Sequence, residues 1–347
     1  MHFSQRTLYR VLPRRFKEEA LVRKLAAELP AISGAPASIV LNQASEPGRH
    51  RFQIDFQRIG NQLHVDLDRD LMARDPHHFE IMWRRLPPFV RIMSRTAAGV
   101  TSAVANVSDG GDNIPNELAY ASNEVQSILV PDPGFMIPQY YEPYRTLAEN
   151  RPGQWSARRD TLLWRGDISG HGDTTADQMD IDDPNLKQRV RMCLALRGLD
   201  DVDAKLLVPD RDREHHATRE AMEAHGILGQ HLPPARWIDV KFALDIDGSS
   251  TSWGNLYTRL LLGCCVLKVA SPVGFRQWFY DEFVPWTHYV PVAADLSDII
   301  EKVEWCRDHD QACREIAAAG QEFALRRTRE SETVAVVQRI NEILGPG

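Results

Sequence analysis

The sequence predicts an α/β fold. Short apolar runs at residues 242–246 and 265–269 have the length and composition of buried parallel strands, and the stretches around them space their apolar residues as helices do. Loops of Gly, Ser, Thr and Asp separate the two patterns, and their alternation through the second half of the chain is that of layered strands and helices. At 347 residues the chain has room for two domains or one large α/β unit.

From the amino terminus, residues 15–29 carry helical periodicity between Pro13 and Pro30. Residues 51–56 and 62–67 alternate apolar with polar side chains about Gly60-Asn61, which predicts a hairpin. Residues 79–93 read as a helix interrupted at Pro87-Pro88, since proline removes a ladder N–H and crowds the preceding turn. A strand over 102–107 runs into Ser108-Asp109-Gly110-Gly111-Asp112, and another short strand falls at 127–130. The Pro-rich segment 131–143, with a helix near 144–149, is the expected crossing between halves.

The second half opens with a strand at 161–164 that ends in Arg165-Gly166-Asp167. A long loop rich in Gly, Asp and Thr follows over 166–184. Next come a helix near 186–196, a strand at 204–208, and the strands at 242–246 and 265–269 with a helix over 256–262 between them. A strand at 289–292 and helices at 296–307, 310–325 and 330–343 complete the chain. These divisions predict an N-terminal domain over 1–150, a C-terminal domain over 151–325, and a last helix, 326–347, packing back on the first domain.

Composition narrows the function. Hydrophobic residues make up 43% and charged residues 26%, the balance of a globular protein with a real core. A formal net charge of −7, with no long basic block, argues against a nucleic-acid partner. Arg14-Arg15 and residues 326–329 read as solvated helix faces, with an anionic lipid surface as the alternative. The five cysteines include no C-x-x-C pair, which fits a reducing compartment better than a disulfide framework. Residues 1–6 lack the apolar core of a signal peptide, and no run is long enough to span a bilayer. The expectation is a cytoplasmic protein with at most peripheral membrane contact. No H-E-x-x-H is present, neither His77-His78 nor His215-His216 has zinc-ligand spacing, and no G-x-S-x-G elbow appears, which argues against metallohydrolase and α/β-hydrolase chemistry.

The chemistry concentrates in residues 241–259. A buried strand ends in Asp247-Gly248, crosses Ser249, Ser250, Thr251, Ser252 and Trp253, and enters a helix. Free N–H groups at that helix start favour an anion such as a diphosphate, and the same hydroxyls also suit an ordinary N-cap. Arg165 at a strand end offers a planar fork to phosphate, or pairs with Asp167. Asp245-Ile246-Asp247 places two carboxylates on one strand face and so could hold a divalent metal. Lys268 ends the next strand and touches either phosphate or a structural ion-pair partner. The aromatic cluster over 278–286 reads as packing.

These residues carry a resemblance. Residues 247–323 resemble the C-terminal half of glycosyltransferase family 90, the CAP10-like enzymes that modify lipopolysaccharide and capsule. The marks are Ser252-Trp253, the following Leu-Tyr-Thr-Arg-Leu-Leu-Leu-Gly, Val266-Leu267-Lys268, Gln277-Trp278-Phe279-Tyr280-Asp281, and Val284-Pro285-Trp286 running to Val292. Asp295-Leu-Ser-Asp298 then leads to Glu304-Trp305. Leu163-Trp164-Arg165-Gly166 is similar to the family's aromatic-Arg-Gly element, and Asp109 falls where the family carries a loop aspartate.

The resemblance implies a GT-B type enzyme: two Rossmann-like domains facing a central cleft, inverting, metal-independent and without cofactor, with a UDP-sugar as donor. It implies Asp109 as the catalytic base, with Asp112 as a substitute. It implies a diphosphate site of Arg165, Gly166, Ser249, Ser250, Thr251, Ser252 and Trp253, with Arg259 and Lys268 nearby. Arg259 is displaced from the position where many relatives carry a second cation, which puts its role in doubt. The related eukaryotic enzymes are secretory and end in an ER-retention signal, so a bacterial cytoplasmic member is expected here. The function expected is transfer of glucose or xylose to a hydroxyl of a glycan or glycolipid acceptor such as lipopolysaccharide or capsule. The alternatives are a non-catalytic sugar-nucleotide or glycan-binding protein on the same fold, and a metal-dependent transferase using Asp245 and Asp247.

Overall fold

The computed structural model describes residues 13–29, 38–44, 50–111, 114–150, 155–173, 182–183, 185–209 and 213–346. The chain divides into two compact units, residues 1–137 with 328–347, and residues 138–327. Both are α/β.

In the first unit β1 (Ser38–Gln43), β2 (Gln53–Ile59), β3 (Gln62–Leu67), β4 (Ser102–Asn106), β5 (Leu118–Ala119) and β6 (Ile128–Leu129) form one sheet in the order β1-β3-β2-β4-β5-β6. β2 and β3 make the expected hairpin, turning at Gly60 with φ of 58°. β2 also runs antiparallel to β4, while the remaining pairings are parallel. This sheet is therefore mixed rather than uniformly Rossmann-like, because a tight hairpin forces its two strands antiparallel. β1 carries no clear sequence signal: Ser38, Asn42 and Gln43 dilute its three apolar residues.

The helix α1 (Arg14–Ala26) packs on α2 (Pro76–Met93), and α2 is continuous through Pro87 and Pro88, against the expected interruption. An outside donor replaces one of the lost ladder bonds. The Lys24 ammonium donates to the Trp83 carbonyl at 2.5 Å, the acceptor that a Pro87 N–H would have used, and the Tyr120 hydroxyl donates to the Arg85 carbonyl. Burial pushes the Lys24 pKa down to about 8. The C-terminal helix Arg329–Leu344 opens with a Thr328/Ser331 capping box and packs on α2 and β6.

The second unit holds a parallel sheet of β7 (Arg159–Asp167), β8 (Val202–Leu207), β9 (Val240–Asp245), β10 (Cys265–Val269) and β11 (Val290–Val292). Its order is β8-β7-β9-β10-β11. β9 and β10 are buried at every position, as expected of central strands covered on both faces. The helices are α3 (Pro138–Asn150), α4 (Gln188–Leu196), α5 (Arg213–Ala224), α6 (Gly254–Leu261), α7 (Ile299–Asp308) and α8 (Asp310–Leu325). α3 takes in the helix expected near 144–149 and begins earlier, within the Pro-rich segment, and α5 lies in a stretch for which the sequence predicts no element. Arg327 is no solvated-face residue: it is buried and stacks on Phe323 at 3.6 Å. All five cysteines are buried and free. Among the described residues no helix is long and apolar enough to cross a membrane.

Candidate functional site

The winding of the second sheet reverses between β7 and β9, since β8 lies outside β7 while β10 and β11 continue beyond β9. In an open parallel sheet this switch point leaves a crevice at the carboxyl ends of the two strands, where ligands bind. The residues after β7 are Ile168, Ser169 and Gly170; those after β9 are Ile246, Asp247, Gly248 and the 249–252 loop.

Arg189, in the first turn of α4, ties the two strand ends together. Its Nε donates to the Asp247 carbonyl at 2.9 Å, and Nη1 reaches an Asp167 carboxylate oxygen at 2.6 Å and the Ser169 hydroxyl at 3.0 Å. Its Nη2 donates to the Ile246 carbonyl at 3.3 Å. Gly248 fits beneath this guanidinium because it has no side chain: a Cβ there would stand 2.9 Å from Arg189 Nη2 and from Ser169 Oγ. Arg189 carries no sequence signal of its own, lying more than twenty residues beyond β7 in an ordinary helical stretch.

The loop that follows is held in an unusual state. The Ser250 and Ser252 hydroxyls are buried without a hydrogen-bond partner, Ser250 being 2% exposed. Thr251 is used internally, its Oγ1 accepting from the Trp253 N–H at 3.3 Å, and Ser249 is exposed. Trp253 turns the chain into α6 at φ 53°, a conformation that costs a non-glycine residue about 1–3 kcal/mol. The N–H groups of the first turn of α6 lack intrahelical acceptors and face anions favourably.

Asp247 is 2% exposed, and neither of its carboxylate oxygens meets a donor in hydrogen-bonding geometry. Burial raises its pKa above the usual carboxylate range, opposed by Lys268 and by the nearby Ser271 hydroxyl. Gln277, 1% exposed, likewise leaves both amide atoms unpartnered. Each such group costs about 1–3 kcal/mol while it is unpartnered, so the loop after β9 holds polar atoms available to a bound partner.

Lys268 and Asp245 face each other across β10 and β9 and pair at 3.1 Å, both buried. Burial works against the Lys268 charge, but Tyr280, Asp245 and Asp247 outweigh it and raise its pKa. Asp245 is thus paired with an ammonium, and Asp247, two residues on and beyond the end of β9, acts on the same Lys268 charge. Lys268 also lies 4.7 Å above the Tyr280 ring.

Arg165 sits elsewhere than the phosphate reading expects. Its Nη2 pairs with Asp203 of β8 at 2.7 Å, Nη1 donates to the Trp164 and Asp203 carbonyls, and Nε donates to the Gln230 carbonyl. Its fork is spent on the sheet and on Gln230. Asp167, its expected alternative partner, pairs with Arg189 instead. Gly166 is required by packing: a Cβ would fall 2.5 Å from the Trp164 ring. Arg259 is buried on α6, stacked 3.5 Å from the Trp237 ring centroid, and burial lowers its pKa to about 10. Its Nη1 has no partner.

Asp109 belongs to the first unit. It follows β4 and lines a pocket of about 550 Å³ with Phe52, Arg85 and His77. His77, Ile81 and Arg85 fall four residues apart on α2 and present one face to this pocket. The Asp109 side chain is 52% exposed and pairs with Arg85 Nη1 at 2.8 Å. Asp112 lies outside the described residues.

Residues 144–335 match the family model for glycosyl transferase family 90. Protein O-glucosyltransferase 2 of Danio rerio is 36% identical over 100 residues, covering 29% of this chain and 19% of that protein. Human protein O-glucosyltransferase 3 is 39% identical over 85 residues, 24% of this chain and 16% of that protein. The uncharacterized protein 027R of Frog virus 3 is 27% identical over 239 residues, 62% of this chain and 24% of that protein. The chain spans about a quarter or less of these relatives' own length. The family match takes in the Trp164-Arg165-Gly166 element, the switch-point crevice and the aromatic segment after it, and extends over more than half of the sequence; the chain belongs to glycosyltransferase family 90.

Proposed function

We propose that this protein is an inverting, metal-independent glycosyltransferase of GT-B type. In this reading the second unit binds a UDP-sugar, with glucose favoured over xylose by the names of the animal relatives, and the first unit supplies the acceptor side. The observation that carries the proposal is the set of buried polar groups without a hydrogen-bond partner that follow β9, Asp247, Ser250 and Ser252, at the switch point where a parallel sheet takes its ligands.

The reaction is a single displacement. An acceptor hydroxyl oxygen attacks the anomeric carbon as the bond to the diphosphate oxygen breaks, and Asp109 takes the hydroxyl proton. The leaving UDP is stabilised by the N–H groups at the start of α6 and by the Ser250 and Ser252 hydroxyls. Arg189 acts as a positioning residue that holds the loop, and Asp247 hydrogen-bonds a hydroxyl of the sugar donor. The acceptor is a hydroxyl of a glycan or glycolipid such as lipopolysaccharide or capsule in a cytoplasmic bacterial setting, or of a protein, as the relatives' names suggest.

Calorimetry with UDP, in EDTA and then with Mn²⁺, tests the donor site, and UDP release over a panel of UDP-sugars tests the chemistry. Binding that ignores the metal, with release from one donor, is the expected result. Binding that requires Mn²⁺ would return the reading to Asp245 and Asp247, and no binding at all would remove the diphosphate site.

A further inference from the structure

We propose that Cys265, Cys306 and Cys313 form a trigonal thiolate site for a soft monovalent ion, Cu(I), in the second unit. The three residues come from β10, α7 and α8, and their sulfurs lie within 4.8 Å of one another. All three are buried, and the Cys313 sulfur sits 3.6 Å from the Cys306 carbonyl. The convergence is selective. Cys264, the neighbour of Cys265, directs its sulfur to the Trp237 carbonyl at 3.2 Å, and Cys193 belongs to α4.

An ion bound about 2.3 Å from each of three sulfurs holds those sulfurs about 4 Å apart, so a contraction of less than an ångström closes this trio on a metal. The ligand set selects the ion. Structural zinc takes four ligands, and among the described residues no histidine or carboxylate joins the group. Three thiolates without a harder ligand suit Cu(I). Cys306 also lines a water-sized cavity of about 10 Å³ beside Asp160, Asp201 and Arg307. On binding, each ligating thiol releases its proton to solvent and the copper remains Cu(I). The bound ion clamps the two helices to β10, three residues before Lys268, and so stabilises the unit without entering the transfer reaction.

The test uses the full chain, anaerobically titrated with Cu(I) against the competing chelator bathocuproine disulfonate, with copper K-edge absorption on the loaded protein. About one copper per chain, with sulfur neighbours only and three of them, is expected, together with a rise in Tm. The C193A/C264A double variant should behave as the parent. C313S should lose about 100-fold or more in apparent affinity, since loss of an outer partner of a ligand already costs about 10–100-fold. Copper left entirely with the chelator, equal retention by C313S, or nitrogen or oxygen neighbours in the spectrum would each overturn the site. If C313S does not fold, the absorption spectra of the parent and of C193A/C264A decide the question alone.

Discussion

At the switch point of the second unit, Ser250, Ser252 and Asp247 are nearly closed to water and have no hydrogen-bond partners, while at the pocket of the first unit Asp109 is half exposed and already paired with Arg85. The first arrangement carries a cost until a ligand arrives. The second is satisfied by Arg85 and solvent. Under the proposed function, recognition of a polar donor falls to the first construction and handling of an acceptor proton to the second.

The sharpest way to break this contrast is at Asp109. Asp109→Asn should lower turnover by about 10²–10⁴-fold, the usual contribution of a positioned base, while UDP affinity measured by calorimetry stays unchanged. Equal turnover in the variant would leave the first pocket without a catalytic role.

The second unit should respond in stability instead. Lys268→Met strands Asp245 as a buried charge and should cost about 3–5 kcal/mol in urea unfolding. Adding Asp245→Asn should restore most of that loss. A single variant as stable as the parent would mean that the pair is solvated.

Acidification sharpens the comparison further. His78 is buried in the first unit, stacked on Phe52, with neither ring nitrogen partnered, and burial first, then Arg51, lowers its pKa to about 4. Above its ordinary value of 6.5 the ring is neutral in both folded and unfolded chains. As pH falls from 6.5 towards 4 the unfolded chain takes the proton first, so up to about 3 kcal/mol of stability is lost over that window. Asp247 in the second unit has the opposite sign: its raised pKa means that the folded form keeps the proton longer, so its contribution declines as pH rises above the ordinary carboxylate range. His78→Phe should flatten the acid slope in thermal unfolding followed from pH 7 to 4; an unchanged slope would assign it to other groups.

The smallest expected effects fall in the loop. Ser250→Ala and Ser252→Ala each remove a buried hydroxyl without a partner and should leave the free protein equal or more stable by about 1 kcal/mol, while weakening UDP about 10-fold. Arg165→Ala is expected to leave UDP affinity unchanged, because its fork serves Asp203 and Gln230. A loss of UDP binding in Arg165→Ala with the serine variants unaffected would reverse the assignment.

The hairpin at Gly60, the buried strands β9 and β10 and the Ser/Thr loop between them were legible in the sequence, because alternation, apolar runs and turn residues are local patterns set by neighbours along the chain. The helix through Pro87 and Pro88 was not, since the carbonyl that Pro87 leaves without a donor is met by the Lys24 ammonium, a donor distant in sequence. The same limit applied at the site. A strand followed by Gly, Ser and Thr announces an anion loop, but whether an arginine faces phosphate or a carboxylate depends on which strands are neighbours. The parallel pairing of β7 with β8 gave Arg165 to Asp203, and the placement of β9 beside β7 brought Arg189 to the crevice. Sequence by itself determined the elements and the chemical types available to them; the tertiary structure decided which charges are spent and which polar atoms are left for a ligand, because burial and pairing are properties of strand order.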